Sequence, residues 1–362
     1  MASGTGSQIG LVKASSLGHN INSVDLWQNF VSESVEHTLE ELEEGSITGS
    51  LDTPPSHKGI DSGAGDIVME ANPNAIGVWL NAAVGAGVSS LVTHADSTGA
   101  NSTVHAGQPQ FFHNFVPRQT AFESESFLEP YGVMVYKDVG SAFMFNGAVA
   151  TGLEFNIQAG QLVGATASIM SRNVTRIERI AAINSLVSSG GRPWVWDMAS
   201  IEVSTDTTSA NLAANTNFEQ LTLSLTTPQE GVVLLDGTKK FAEFQPNDFR
   251  RLAISGTLSF ASQDEYNAFT AYEARRMRIT LINVNSALTL GNIASLDVTG
   301  ELFYGYFGMR IQIPQMKFLT WSTPVGGPNR LITSFTAKAE YDDTAAEMFR
   351  IELNNVTSGY EN

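Results

Sequence analysis

The chain has no cysteine among its 362 residues, which excludes a disulfide framework, a thiolate metal site and a cysteine nucleophile together. Stability must therefore come from packing or from assembly. Charge is sparse, with Asp, Glu, Lys and Arg at 16%, and base is sparser: 20 Lys and Arg face 37 Asp and Glu, a formal net charge of −17. A protein that grips nucleic acid neutralises phosphates with clustered Lys and Arg, so this composition repels DNA. No apolar run approaches the length of a membrane-spanning helix, and the opening MASGTGSQIGLVKASSLG lacks the charged-then-apolar layout of a secretory signal. The expectation is a product assembled in the cytoplasm without membrane insertion.

Catalytic signatures are equally thin. The histidines His19, His37, His57, His94, His105 and His113 form neither an HExxH nor an HxH pattern. His94, His105 and His113 share one candidate loop, yet with no Cys and no helical i, i+4 pair they make no zinc signature. Adjacent carboxylates at Glu43 and Glu44 or Asp342 and Asp343 read as solvated faces. The glycine-rich runs around Gly4, Gly63 and Gly85 do not lie between a strand and an opening helix, as a dinucleotide site requires. We expect no enzyme, no cofactor and no metal.

What is present is enough apolar material to fold, with AVILMFWYC at 42%, spread over a length that suits two domains. An internal repeat divides it. GDIVMEANPNAIGVWLNA from Gly65 aligns without a gap on GTLSFASQDEYNAFTAYEA from Gly256. In each, alternating apolar residues (Ile67 and Met69; Leu258 and Phe260) predict a half-buried strand. A helix follows, opened by Asn72 with Pro73 in one copy and by Ser262 with Glu265 in the other. Ala75 and Val78 correspond to Tyr266 and Phe269 on its apolar face.

Before each glycine runs a polar strand-like stretch headed by Phe30 or Phe218. After each helix comes a long hairpin, Phe143 to Ser171 and Met309 to Tyr341, with turns at Ala159-Gly160 and Gly326-Gly327-Pro328. Residues 88–128 and 198–215 read as insertions. The stretch from Ser171 to Trp194 reads as a short strand or helix ending at a Ser-Gly-Gly linker, which puts the boundary near residue 195.

The order strand, strand, helix, hairpin, present twice and accompanied by HNFVP at His113 to Pro117 and the ending RLITSFTAKAEYDDTAAEMFRIELNN, resembles the tail tube domain of siphophages, in the branch that fuses two tube domains in one polypeptide. The resemblance implies a mainly β fold: two tandem β-sandwich or partial-barrel domains, residues 1–195 with an N-terminal arm and the 88–128 loop, and residues 196–362. Each would carry one helix and lend strands to a ring-shaped β-barrel between subunits. Three chains would close a pseudo-hexameric ring, and rings would stack into a conduit through which DNA passes without specific binding.

The partners implied are the chain itself, a tape-measure protein, and tail terminator or baseplate proteins. By the same analogy residues 1–30 and 88–128 bridge subunits or rings, with Leu11, Val12, Phe111, Phe112, His113 and Phe115 as contacts. Residues 33–70 hold ten Asp or Glu against one base, Lys58, and Glu40, Glu41, Glu43, Glu44 and Asp52 are the expected acidic, lumen-side residues. The rival reading is a receptor- or carbohydrate-binding β-sandwich of a virion, which would expose Trp194, Trp196 and Trp321. A β-rich hydrolase would need a carboxylate cluster, and a porin a lipid-facing apolar band.

Overall fold

The computed structural model describes residues 4–19, 21, 23–47, 49, 51–85, 87–91, 94–95, 101–102, 104–105, 108–109, 111–119, 127–178, 192–204, 212–260, 263–283, 307–325, 327 and 330–360. Strands dominate them. The first half carries β1 (Gln8–Lys13), β2 (Leu26–Gln28), β3 (Ser32–Glu33), β4 (Glu36–Glu43), β5 (Ser56–Glu70) and helix α1 (Ile76–Val84). There follow β6 (Gly87–Leu91), the short β7 (His94–Ala95), β8 (Asn101–Ser102), β9 (Val104–His105) and β10 (Gln108–Pro109), then β11 (Phe111–Phe115). It continues through β12 (Tyr131–Tyr136), β13 (Ala142–Gln158), β14 (Gly164–Ser171) and β15 (Asn173–Ile177). The second half carries β16 (Ala199–Ser204), β17 (Leu212–Ala214), β18 (Phe218–Thr226), β19 (Gln229–Val232), β20 (Glu243–Pro246), β21 (Arg251–Ser259) and helix α2 (Asp264–Thr270). It ends with β22 (Arg275–Asn283), β23 (Phe307–Ser322), β24 (Ile332–Ala339) and β25 (Arg350–Asn355).

The pairing pattern occurs twice. β4 lies on β5, β5 on β14 and β14 on β13; β18 lies on β21, β21 on β24 and β24 on β23. The N-terminal part of each long hairpin strand enters a second layer: β13 between β12 and β15, β23 between β22 and β25. β1 then flanks β12 and β2 flanks β1, just as β16 flanks β22 and β17 flanks β16.

Three sequence expectations change here. Residues 198–215 are no insertion, because β16 and β17 are the counterparts of β1 and β2. The N-terminal segment is no free arm either, because β1 is a central strand with Ile9 and Leu11 in the core. The predicted cap residue Ser262 lies outside the described residues, and Asn72 is not the cap of its helix either: α1 begins after Ala75 with no side-chain cap bond, and the Asn72 carboxamide instead accepts the Asn74 N–H at 3.0 Å in the turn before it.

Sheet register also corrects the alignment of the copies. Gly65 stands opposite Ile169 of β14, whose counterpart in the second hairpin, Ala337, stands opposite Ile254 rather than Gly256. The shift is two residues, which leaves every side chain on its expected face. Ile67, Met69, Ile254 and Leu258 all point inward and are buried. One core runs through both halves, uniting Ile67, Trp79 and Phe155 with Ile254, Ile311 and Phe335; each such side chain contributes roughly 1.5–3 kcal/mol of burial.

The helices differ in cover. α1 is buried along nearly its whole length, with Tyr360 lying on Gly77. α2 buries only Ala268 and rests against Trp321 through Tyr266, their rings 6.5 Å apart.

Candidate functional site

The two four-stranded units join edge to edge. β13 pairs antiparallel with β18 from Gly152 opposite Thr226 to Gln158 opposite Gln220, giving one continuous run β4–β5–β14–β13–β18–β21–β24–β23. Alternation gives this run two unlike faces. On one, Leu153 meets Leu225, Phe155 meets Leu223 and Ile157 meets Leu221, all buried. On the other, Glu154 lies between Thr166 and Ser224, and Asn156 between Gly164 and Thr222. Ser168 Oγ donates to Asp66 Oδ1 at 2.6 Å on that side. This second face is hydroxyl, amide and carboxylate with little base, a surface that attracts no phosphate.

Both ends of the run are open among the described residues. Among the described residues β4 pairs only with β5, and β23 from Lys317 onward only with β24. Every residue of β4 is exposed. Such a border presents unmet backbone groups, and this one carries the charge that deters random pairing. The Val35 N–H, on the outward side, donates to its near neighbour Glu33 Oε2 at 2.9 Å. His37 Nε2 and Lys58 Nζ each lie 2.8 Å from the Asp61 carboxylate. Burial pushes that carboxyl up, but these two partners outweigh it and hold Asp61 below its ordinary value.

The expected acidic residues are all at this border. Glu40, Glu41 and Glu43 lie on β4, Glu44 and Asp52 in the connection to β5, and all are exposed. They do not share one side. Glu40 turns with Glu36 toward the polar face, while Glu41 and Glu43 turn away, since alternate residues of a strand face opposite sides.

The expected contact residues divide as well. Leu11, Val12 and Phe115 are buried inside the chain, and Phe111 and Phe112 are half-buried on β11. β11 joins the halves by pairing with β25 on one side and β6 on the other. His113 is fully buried there, its Nδ1 2.8 Å from Ser89 Oγ and its Nε2 2.9 Å from Asn355 Oδ1. Asn355 Nδ2 donates to Pro73 O and to Tyr360 Oη, so its oxygen must accept and His113 must carry its proton on Nε2.

Burial depresses the His113 imidazole below its ordinary value, outweighing its hydrogen bonds with Asn355 and Thr357. Burial likewise pushes the Tyr360 phenol up to about 12 against its hydrogen bonds with Thr357 and Asn355. The network continues through Asn81, which donates to Tyr131 Oη, Tyr360 O and Glu129, to the Lys13–Glu129 ion pair. It ties β11, β25 and α1 together within the chain.

Of the three tryptophans that a carbohydrate-binding face would expose, Trp194 is fully buried, Trp196 is half exposed, and Trp321 packs on Phe318 and Phe335. They form no shared exposed face. Among the described residues no three His, Asp or Glu side chains cluster as metal ligands, and no helix is long and apolar enough to cross a membrane. The residues that sequence reasoning missed are the border ones, Leu39 and Leu319, which are 53% and 45% exposed. A comparison with curated proteins finds no match. A family model described as phage tail tube protein matches residues 4–339.

Proposed function

Because the chain belongs to the phage tail tube protein family, a structural component of the virion tail, we propose that it is the repeating subunit of a hollow conduit that closes through its two open sheet borders. The observation that carries this reading is the continuous run from β4 to β23, which has no further strand at either end among the described residues and has one apolar and one polar face. Joining the β23 border of one chain to the β4 border of the next removes both edges, which only a closed ring does for every subunit. Each chain supplies two like units, so three chains give a ring of pseudo-sixfold symmetry. The polar face then lines the channel, where its carboxylates and hydroxyls let DNA slide without adhering.

Rings stack along the axis, and the ends of the stack meet tape-measure, terminator or baseplate proteins. Negative-stain microscopy and native mass measurement test this. Rings or tubes built from trimers are expected; a persistent monomer together with tails that lack the chain would sink it.

A further inference from the structure

The duplication inside the chain contains one border-to-border joint already made, and it prescribes the joint between chains. β13 and β18 are the counterparts of β23 and of the β3–β4 border. The hairpins fix the first correspondence: pairing of β13 with β14 skips Thr151 between Ala150 and Gly152, and pairing of β23 with β24 skips Leu319 between Phe318 and Thr320. Leu319 therefore occupies the place of Thr151.

The inner strands fix the second. Ile169 leads to Gly65, beside which Val35 falls because Glu33 stands opposite Ile67 and Glu36 opposite Ala64, while its counterpart Ala337 leads to Ile254, beside which β18 puts Leu223. Val35 therefore occupies the place of Leu223, and Leu39 that of Thr227.

Resting on the tube reading, we propose that residues 319–323 of one chain pair antiparallel with residues 35–39 of a second copy, with Leu319 opposite Leu39, Thr320 opposite Thr38, Trp321 opposite His37, Ser322 opposite Glu36 and Thr323 opposite Val35. In the template the first of these pairs is Thr151 with Thr227, joined by a backbone hydrogen bond of 2.8 Å. Two features not used to derive the register agree with it. Leu39 and Leu319, both exposed in the single chain, cover one another. The faces also match: Thr320 with Thr38 and Ser322 with Glu36 continue the polar side, while Trp321 stays on the side of Phe335, 6.3 Å away.

A one-residue slip would turn polar side chains onto the apolar side, and a two-residue slip would part the leucines. The incoming Thr323 carbonyl takes over the Val35 N–H that Glu33 holds in the free chain.

The absence of cysteine makes the register directly readable. Ser34 N–H donates inward to Asp66 O, so residues 36 and 38 bond to β5 and form non-hydrogen-bonded pairs with the neighbour, about 4.5 Å between Cα atoms. That spacing suits a disulfide. Single variants T38C, T320C, E36C and S322C are first scored for rings by microscopy, then mixed in pairs, oxidised and run on a non-reducing gel; either matched pair serves if the other contains a variant that does not assemble.

Covalent dimers are expected from T38C with T320C and from E36C with S322C, with at least a tenfold lower yield from the slipped mixtures T38C with S322C and E36C with T320C. Rings that cross-link in a slipped mixture, or in neither matched one, overturn the register and leave the tube reading standing. A cysteine-free parent that forms no ring at all overturns the tube reading, and the register with it.

Discussion

His113 shows how one residue can be fixed in protonation as well as in place. Its folded-state value lies below the ordinary 6.5 because burial penalises the charged ring, so on acidification the unfolded chain takes up the proton first. The sign is then set: stability is intact above about pH 6.5 and falls as pH drops through the region below it. Thermal melts between pH 7.5 and 5 should show this decline, and His113→Gln should flatten it while lowering the midpoint throughout. An unchanged slope in the variant would remove His113 as the cause. Gly65 is a second such residue, at φ +152, where a Cβ would come within 2.4 Å of Ser34 O. Gly65→Ala should cost more than about 1 kcal/mol in denaturant unfolding, and a neutral result would mean that β3 yields more easily than its packing indicates.

At the scale of elements, the strand–helix units and both long hairpins were legible from alternation and glycine, and so was their duplication. The exact match of copies was not. A period of two permits a two-residue slide without moving any side chain to the wrong face, so Gly65 and Gly256 could be superposed although Ile254 is the true counterpart of Gly65. β1 and β16 were missed as a pair because QIGLVK and ASIEVS share no pattern; what they share is a place beside β12 and β22. The open borders were illegible for a related reason, since a strand does not record in its own residues which of its two sides has a partner. Those borders make a sharp prediction. His37 turns its N–H away from β5, so proline there removes a bond that no described strand of the free chain uses, at the expense of a surface hydrogen bond with Asp61 worth under about 1 kcal/mol. His37→Pro should leave circular dichroism and melting close to those of the parent while abolishing ring formation; rings that persist would move the joint elsewhere.

For the whole molecule, the net charge of −17 opposes the association that the borders favour. Screening shortens the reach of that repulsion to about 10 Å at 0.1 M salt. The concentration needed for assembly should therefore fall as salt rises from 0.02 to 0.3 M, as sedimentation can measure; a rise would mean that attraction between unlike charges governs the joint. The same charge predicts no band shift with duplex DNA even at low salt. The pairing of β11 with β25, and the seat of Tyr360 on α1, have a consequence for synthesis. The first half is not finished when its own residues leave the ribosome, for the Gly77 side of its helix and one edge of β11 wait for residues 350–360. A prematurely terminated product thus lacks its closing piece, and completion of the polypeptide becomes a condition for joining the growing particle.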